Sequence, residues 1–355
     1  MGRTEKFLVR LISCLLVIFS VLGVWLLWTK QGTNLMARTR VTKKSGSLMS
    51  YLKGSDKAHS LELTMPGRHS PSSVKLSSEK MYTTYRITIP DIPASYFADF
   101  PVTGNGHDIK NLRYAMKGKD AVLTLTTSEP LFIEKKNDSC HVFFDFRNPK
   151  DYFDKIVVID AAAGGKDSGA VAGGVKEKDL TLSIIKKFKY LTDKKSVKEV
   201  KGYGSTLTSM KLDGVGTVGF FYTRLSDKTV TTKDRIEFAK TFDADLLLSV
   251  HMNSTASGRE SSINGAQVLY RAADRIGESK HFAETIMNEL KQHLRCSDRG
   301  VIAGDEDYMI STAEMPAAIA DIGFITNSTE RKKLADEDYQ QKAAEALLDA
   351  VKEEL

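Results

Sequence analysis

Cysteine is scarce in this sequence. Its 355 residues include three cysteines, Cys14, Cys140 and Cys296, which lie far apart along the chain. A disulfide framework or a zinc ribbon requires more cysteines at closer, regular spacing, so both classes are excluded. The composition, 41% hydrophobic and 27% charged, is that of a globular chain with room for two domains.

Signals for nucleotide and nucleic-acid binding are also missing. The turn after the run VVID, at Gly164 and Gly165, has neither the G-x-G-x-x-G nor the G-x-x-x-x-G-K spacing. Positive charge is concentrated in residues 29–60, where seven lysines and arginines stand against Asp56 and the only aromatic residue is Tyr51. This pattern indicates a flexible linker near an anionic surface, and we expect no nucleic-acid partner.

Charged residues are absent from one run of 18 residues, Leu11 to Trp28. The run is apolar on every face, follows a short basic N-terminus at residues 1–10, and has no small-x-small cleavage site after it. It predicts a transmembrane anchor over residues 11–28, followed by a basic flexible linker over residues 29–58. The lysines and arginines after the run favour a cytoplasmic C-terminus, so the chemistry of the C-terminal domain must decide the orientation.

Residues 59–150 contain short runs of alternating polar and apolar residues, such as TYRITI and HVFFDF, separated by Pro, Gly and Asn. This pattern predicts a small β-rich domain. The stretch IKNLRYAMKGKDAVLTLTTSEPLFIEKKNDSCHVFFDF loosely resembles the AMIN-type β-domains that some cell-wall amidases use to hold the envelope. The resemblance implies an envelope-binding module, and the alternative is a spacer without a ligand of its own.

Residues 151–355 alternate between strand-like and helix-like segments. The alternation predicts an α/β domain with a largely parallel sheet flanked by helices. In such folds the functional groups collect at the carboxyl ends of the strands, where the pattern places Asp160, His251 and Asp321.

Six short motifs between Lys155 and Leu355 occur in one order. They are VVIDAAAGGKDSGA, GGVKEKDLTL, TRLSD, SVHMNS, DRGV and MPAAIADIGFITN. In order and approximate spacing they resemble the zinc-dependent N-acetylmuramoyl-L-alanine amidases, which cut the bond between the glycan and the stem peptide of peptidoglycan. That family holds its metal with a histidine in D-x-G-H-G-G, a glutamate before K-D and a histidine in S-x-H-x-N, and a glutamate in P-A-x-x-x-E-x-G-F assists catalysis. The resemblance implies zinc as cofactor and peptidoglycan as substrate.

Two of the implied metal ligands, Glu177 and His251, are present, and Asn253 keeps its place as a candidate substrate contact. Ala163 stands where the family has its first zinc histidine, and Asp321 replaces the catalytic glutamate. A catalytic zinc uses three protein ligands and an open position for water, so two ligands predict weak or absent zinc binding. The sequence therefore predicts an impaired site, unless a carboxylate such as Asp321 or Asp160 completes the ligand set.

Other polar residues remain open candidates. His107 or His141 of the β-rich region is an alternative source of the missing imidazole. Arg224, Arg235 and Arg299 are candidates for contacts with the carboxylates of the stem peptide.

Three hypotheses follow for the whole chain. The first is an amidase-family protein that binds peptidoglycan with a catalytically impaired site. The second is an active zinc amidase with a rearranged site, and the third is a structural envelope adaptor. In the first two, the chain is a single-pass membrane protein whose C-terminal domains lie on the cell-wall side, where a regulatory protein partner remains to be identified.

Overall fold

The computed structural model describes residues 45–52, 59–79, 83–194, 207–274 and 276–355. The predicted anchor at residues 11–28 and most of the predicted linker lie outside these ranges. No helix within the described ranges is long and apolar enough to cross a membrane.

The chain divides into two compact units. The first comprises the described residues up to Leu76 together with Tyr85–Thr126 and Lys135–Asp145, and the second comprises Ser77–Thr84, Thr127–Glu134 and Phe146–Leu355.

Short strands dominate the chain before residue 150. The strands are β1 (Ser45–Ser47), β2 (Leu61–Thr64), β3 (Lys75–Glu79), β4 (Thr84–Ile89), β5 (Ile109–Lys117), β6 (Asp120–Thr127), β7 (Phe132–Asn137) and β8 (His141–Arg147), with two single-turn helices, α1 (Met49–Leu52) and α2 (Tyr96–Asp99). They form a five-stranded sheet in the order β1-β5-β6-β4-β3 and a three-stranded sheet in the order β2-β8-β7. Burial alternates along β4, where Tyr85, Ile87 and Ile89 face the interior, because successive side chains of a strand point to opposite faces.

Strands and helices alternate in the rest of the chain. The strands are β9 (Lys155–Ala161), β10 (Val171–Ala172), β11 (Val175–Lys176), β12 (Leu207–Leu212), β13 (Gly216–Tyr222), β14 (Leu246–Asn253), β15 (Ala266–Tyr270), β16 (Asp298–Ala303) and β17 (Ala317–Phe324). The helices are α3 (Glu177–Lys194), α4 (Thr232–Thr241), α5 (Glu278–Leu294), α6 (Tyr308–Thr312), α7 (Ser328–Leu334) and α8 (Glu337–Glu354).

A seven-stranded sheet in the order β12-β13-β9-β14-β17-β15-β16 forms the centre of the second unit. Strands β13, β9, β14 and β17 run parallel, as do β15 and β16. Strand β12 pairs antiparallel with β13, and β15 pairs antiparallel with β17. The prediction of a largely parallel sheet is therefore correct for the centre and wrong at these two pairings. Two parallel strands need a crossover connection that carries the chain back to the edge of the sheet where the first strand began. The short turn between β12 and β13 and the helix-free loop between β14 and β15 are not crossovers of this kind. The strands that they join therefore run in opposite directions.

Helices cover both faces of this sheet. On one face α3, α5 and α8 contribute Phe188, Phe282 and Leu347 to an apolar core shared with the strands. On the other face Phe242, the residue directly after α4, packs against Phe221, with 4.4 Å between the ring centroids. Because both faces are covered, all eight residues of β17 are buried. The sheet holds its strand ends rigidly, and the candidate site lies at those ends.

Candidate functional site

Three neighbouring strands of the sheet bring the predicted polar residues together. Ser249 on β14 pairs in register with Asp160 on β9, and His251, two residues further along β14, pairs with Asp321 on β17. Residues two apart on a strand share a face, so these side chains lie on one side of the sheet near its carboxyl edge. The prediction that Asp160, His251 and Asp321 meet at this edge is in agreement with the pairing.

Glu177 contacts His251 directly. The carboxylate Oε1 lies 3.2 Å from the imidazole Nδ1, and it also accepts a hydrogen bond of 3.2 Å from the backbone N–H of Met252. Oε2 accepts a bond of 2.8 Å from the backbone N–H of Ala170. A β-carbon at Gly169 would lie 2.4 Å from Oε2, so this position requires glycine. The loop before α3 therefore fixes the carboxylate against the histidine.

The two groups shift each other's pKa. Burial of Glu177 opposes its ionisation, but the hydrogen bond and charge of His251 outweigh burial and lower the pKa of the carboxyl. Burial also opposes the charged form of His251, yet the contact with Glu177 raises its pKa above the ordinary value of 6.5. The pair therefore favours a carboxylate beside an imidazolium. The other ring nitrogen, Nε2, is buried and has no hydrogen-bond partner among the described residues.

Asp321 lies beside this pair and is 9% exposed. Its carboxylate accepts a hydrogen bond of 3.0 Å from Nδ2 of Asn253, the residue expected to contact substrate. Burial is the largest influence on Asp321 and raises its pKa to about 6, although the charge of His251 and the hydrogen bond from Asn253 act in the opposite direction. Asn253 therefore orients Asp321 in this structure, which the sequence did not indicate.

Two buried arginines hold the alanine loop. Arg224 donates from Nε to the carbonyl of Ala161 at 2.9 Å and from NH2 to the carbonyl of Ala162 at 2.7 Å. Arg235 donates from NH1 to the carbonyl of Ala161 and from NH2 to that of Ala163, both at 2.6 Å. All three alanine carbonyls are therefore fixed by guanidinium groups. Ala163 has a φ of 57°, a left-handed conformation in which histidine is enriched and alanine is uncommon.

Asp160 belongs to the same network and is fully buried. Arg235 forms an ion pair with it, Thr223 donates a hydrogen bond to Oδ1, and Ser249 donates a bond of 2.6 Å to Oδ2. Burial opposes the ionisation of Asp160, but these partners outweigh burial and lower its pKa below the ordinary value of 3.8. Both carboxylate oxygens are therefore occupied, and Asp160 is not available as a replacement metal ligand.

The sequence left Arg224 and Arg235 open as possible contacts for stem-peptide carboxylates, and in the structure both side chains are buried and donate to the protein itself. A single sequence gives no signal that separates a buried arginine from an exposed one. Arg299 is exposed, with its guanidinium 5.2 Å from the ring centre of Phe324, and it stays a candidate for substrate contact.

The residues of this site do not fit a catalytic zinc. Glu177 and His251 supply two donors, Ala163 supplies none, and Asp160 is fully engaged. Among the described residues, two groups of three ligand-type side chains have donor atoms within 4.8 Å of one another, namely Asp138 with Cys140 and His141, and Glu289 with His293 and Asp349. Asp321 does not complete such a group with Glu177 and His251. The three ligands that a catalytic zinc requires are therefore absent from this site as described.

A family model described as N-acetylmuramoyl-L-alanine amidase matches residues 157–353, more than half of the chain. The chain belongs to the N-acetylmuramoyl-L-alanine amidase family. The matched segment contains every strand and helix that forms the site, and the family assignment made from the six motifs is confirmed.

The chain is also similar to individual curated proteins and solved structures. The uncharacterized protein YqiI of Bacillus subtilis is 37% identical over 201 residues, which is 56% of this chain and 83% of YqiI. The N-acetylmuramoyl-L-alanine amidase LytC of the same organism is 31% identical over 193 residues, 54% of this chain and 34% of LytC. Among solved structures, the catalytic domain of the amidase CwlV from Bacillus (Paenibacillus) polymyxa is 28% identical, with 56% of this chain and 97% of that domain covered and a TM-score of 0.47. The chain matches LytC over only about a third of that protein's length.

Proposed function

We propose that this chain is a membrane-anchored envelope protein that binds peptidoglycan through an amidase-family domain whose catalytic site is impaired. The observation that carries the proposal is Ala163, which stands at the position of the third zinc ligand in the family pattern. Its carbonyl and those of Ala161 and Ala162 accept hydrogen bonds from Arg224 and Arg235, which hold the loop in place. The scaffold is retained while the ligand is absent.

The second part of the site supports the same proposal. Asp321 is one methylene shorter than the glutamate of the family pattern, and it is held by Asn253 at 3.0 Å. A displacement of a catalytic group by about 1 Å can reduce a rate by roughly 100-fold. The lost ligand and the shortened carboxylate act on one reaction, so together they favour binding without turnover.

The experiment uses the purified full chain and isolated peptidoglycan, with and without added zinc. We expect the chain to sediment with peptidoglycan and to release no stem peptide above the buffer background, because the zinc ligand set is incomplete. An amidase of known activity serves as the positive control and shows that the peptidoglycan preparation can be cleaved. Zinc-dependent release that is lost in Glu177→Gln would contradict impairment, and failure to sediment would leave the structural adaptor as the better description.

The location of the domains is a further part of the proposal. The apolar run at residues 11–28 is the proposed anchor, and peptidoglycan, the expected ligand, lies outside the cytoplasmic membrane. We therefore expect a C-terminal alkaline phosphatase fusion, which is active only outside the cytoplasm, to be active in cells. The matched control is a C-terminal fusion to a protein that fluoresces only in the cytoplasm. This fusion should show no fluorescence. The reverse result would reject both the binding and the amidase hypotheses.

An active amidase with a rearranged site is the second candidate. The observation that favours it is the raised pKa of Asp321, about 6, in a buried position beside His251. Perturbed pKa values cluster at functional sites, although buried structural networks perturb them as well. The release assay separates this candidate from the first, since activity of the unmodified chain should then depend on Asp321 and be lost in Asp321→Asn.

A further inference from the structure

A second cluster of metal-ligand side chains lies between two helices, apart from the candidate site. Glu289 and His293 are one helical turn apart on α5, and Asp349 lies on α8, which packs against α5 through the shared apolar core. Nε2 of His293 is 3.3 Å from Oε2 of Glu289 and 3.5 Å from Oδ2 of Asp349. Residues four apart on a helix face the same side, so Glu289 and His293 present their side chains together to α8.

Hydrogen bonding alone does not account for this arrangement. A ring nitrogen carries at most one proton and donates one good hydrogen bond, yet two carboxylate oxygens face the same Nε2. Both separations also exceed the roughly 2.7–3.2 Å of a good N–H···O bond. By contrast, His281 on the same helix contacts a single carboxylate, that of Glu354 on α8, at 2.8 Å. The spacing around His293 therefore differs from that of a simple histidine–carboxylate pair on the same two helices.

The spacing matches a set of ligands around a small metal ion. Zinc binds nitrogen and carboxylate oxygen at about 2.0–2.2 Å in tetrahedral geometry, which places neighbouring ligand atoms about 3.4 Å apart. The observed 3.3 and 3.5 Å agree with this edge length. Imidazole with carboxylates favours zinc and related transition metals, whereas calcium and magnesium prefer oxygen ligands alone.

Charge and exposure are compatible with a bound divalent cation. The side chains of Glu289 and His293 are 14% and 20% exposed, and that of Asp349 is 43% exposed. Lys352 donates to Oδ1 of Asp349 at 2.6 Å and leaves Oδ2 facing the imidazole. The carboxylates of Glu289 and Asp349 and the ammonium of Lys352 leave a net negative charge, which favours a cation beside the imidazole, and the exposed side of Asp349 leaves room for a water ligand.

We propose that Glu289, His293 and Asp349 form a zinc-binding site that joins α5 to α8. A metal held by both helices binds the folded chain and has no comparable set of ligands in the unfolded one, so it stabilises the fold by mass action. The site is structural and separate from the candidate site, since neither Glu177 nor His251 contributes to it.

The experiment titrates the full chain with zinc in a Cys140→Ser, His251→Asn background. These two changes remove ligands from the turn formed by Asp138, Cys140 and His141 and from the candidate site, so zinc uptake there does not contribute. We expect about one zinc per chain and a rise in Tm of about 5 °C when zinc exceeds its Kd by about 100-fold. His293→Asn should abolish both the uptake and the shift, and Glu289→Gln should weaken binding at least about tenfold.

The matched control is His281→Asn, which removes a histidine that bridges the same two helices through one carboxylate. It should keep the stoichiometry and the Tm shift. The proposal is overturned if the background protein takes up no zinc, since His293 is then only a side chain paired with two carboxylates. It is equally overturned if His293→Asn and His281→Asn respond to zinc alike.

Discussion

Replacement of Arg235 by alanine is expected to lower the free energy of unfolding by about 3–5 kcal/mol, because it leaves the carboxylate of Asp160 buried without its ionic partner. Asp160 is fully buried, and Arg235 is its cationic contact. The variant also removes the donors that hold the carbonyls of Ala161 and Ala163. Ser249 and Thr223 keep their hydrogen bonds to Asp160 but cannot neutralise its charge.

Denaturant unfolding of the two proteins measures the difference. Lys280→Ala is the control, since Lys280 and its partner Glu284 are both more than half exposed and such pairs contribute little. Addition of Asp160→Asn to the Arg235→Ala variant should recover part of the loss, so that the two changes are not additive. If Arg235→Ala lowers the free energy of unfolding by less than about 1 kcal/mol, Asp160 is not left as a buried unpaired charge in the variant.

The same pair predicts a pH dependence with a definite sign. Asp160 has a lowered pKa in the folded state, so its contribution to stability is fully present above its ordinary pKa of 3.8 and is lost as pH falls through the folded value. In Arg235→Ala the burial of Asp160 is no longer outweighed by a cation, and its pKa should rise. The stability difference between wild type and variant is therefore expected to shrink as the pH is lowered.

The location of the site could be predicted from the sequence because motif spacing is a local property. Strands β9, β14 and β17 each end in a motif, and parallel neighbours align those ends at one edge of the sheet. Glu177 could be placed because it begins a helix after a glycine-rich turn. The turn needs glycine because a β-carbon at Gly169 would clash with the carboxylate of Glu177. Ala163 was visible as a substitution because Asp160, Gly164 and Gly165 of the motif around it are retained, although Ala162 stands where the family pattern has glycine.

The side chains that hydrogen-bond to the site residues could not be predicted, because they come from segments that are distant in the sequence. Arg224 and Arg235 reach the alanine loop from residues more than 60 positions later in the sequence, and their burial is decided by how α4 and the end of β13 pack. The bond from Asn253 to Asp321 likewise depends on the register of β14 against β17. The antiparallel pairing of β15 with β17 follows from the helix-free loop between β14 and β15. Such a loop has no hydrophobic periodicity from which the pairing could be predicted.

Introduction of histidine at position 163 is expected to complete the zinc site. The φ of 57° at Ala163 lies in the left-handed region, where histidine is several-fold enriched, so Ala163→His should be accommodated without a second change in the loop. Ala163→Asn is the matched control, because asparagine tolerates the same conformation but does not supply an imidazole ligand.

Zinc uptake is measured in a Cys140→Ser, His293→Asn background, so that the turn at Asp138 and the interhelical cluster do not contribute. Ala163→His should bind about one additional zinc per chain, and Ala163→Asn should bind none. Substitution of Glu177 or His251 in the Ala163→His protein should remove the additional zinc. If Ala163→His takes up no zinc, the loop has diverged beyond the point at which the family pattern describes its chemistry.

Zinc binding alone is not expected to restore efficient release of stem peptides. The side chain of Asp321 is one methylene shorter than the glutamate of the family pattern, and its carboxylate accepts a hydrogen bond from Asn253. Because a displacement of about 1 Å can cost roughly 100-fold in rate, the Ala163→His, Asp321→Glu double variant should release stem peptides at least about 100-fold faster than either single variant. The two changes serve one reaction and should be strongly non-additive. Equal release by the single Ala163→His variant and the double variant would show that Asp321 already occupies a productive position, and the site would then be impaired by its missing ligand alone.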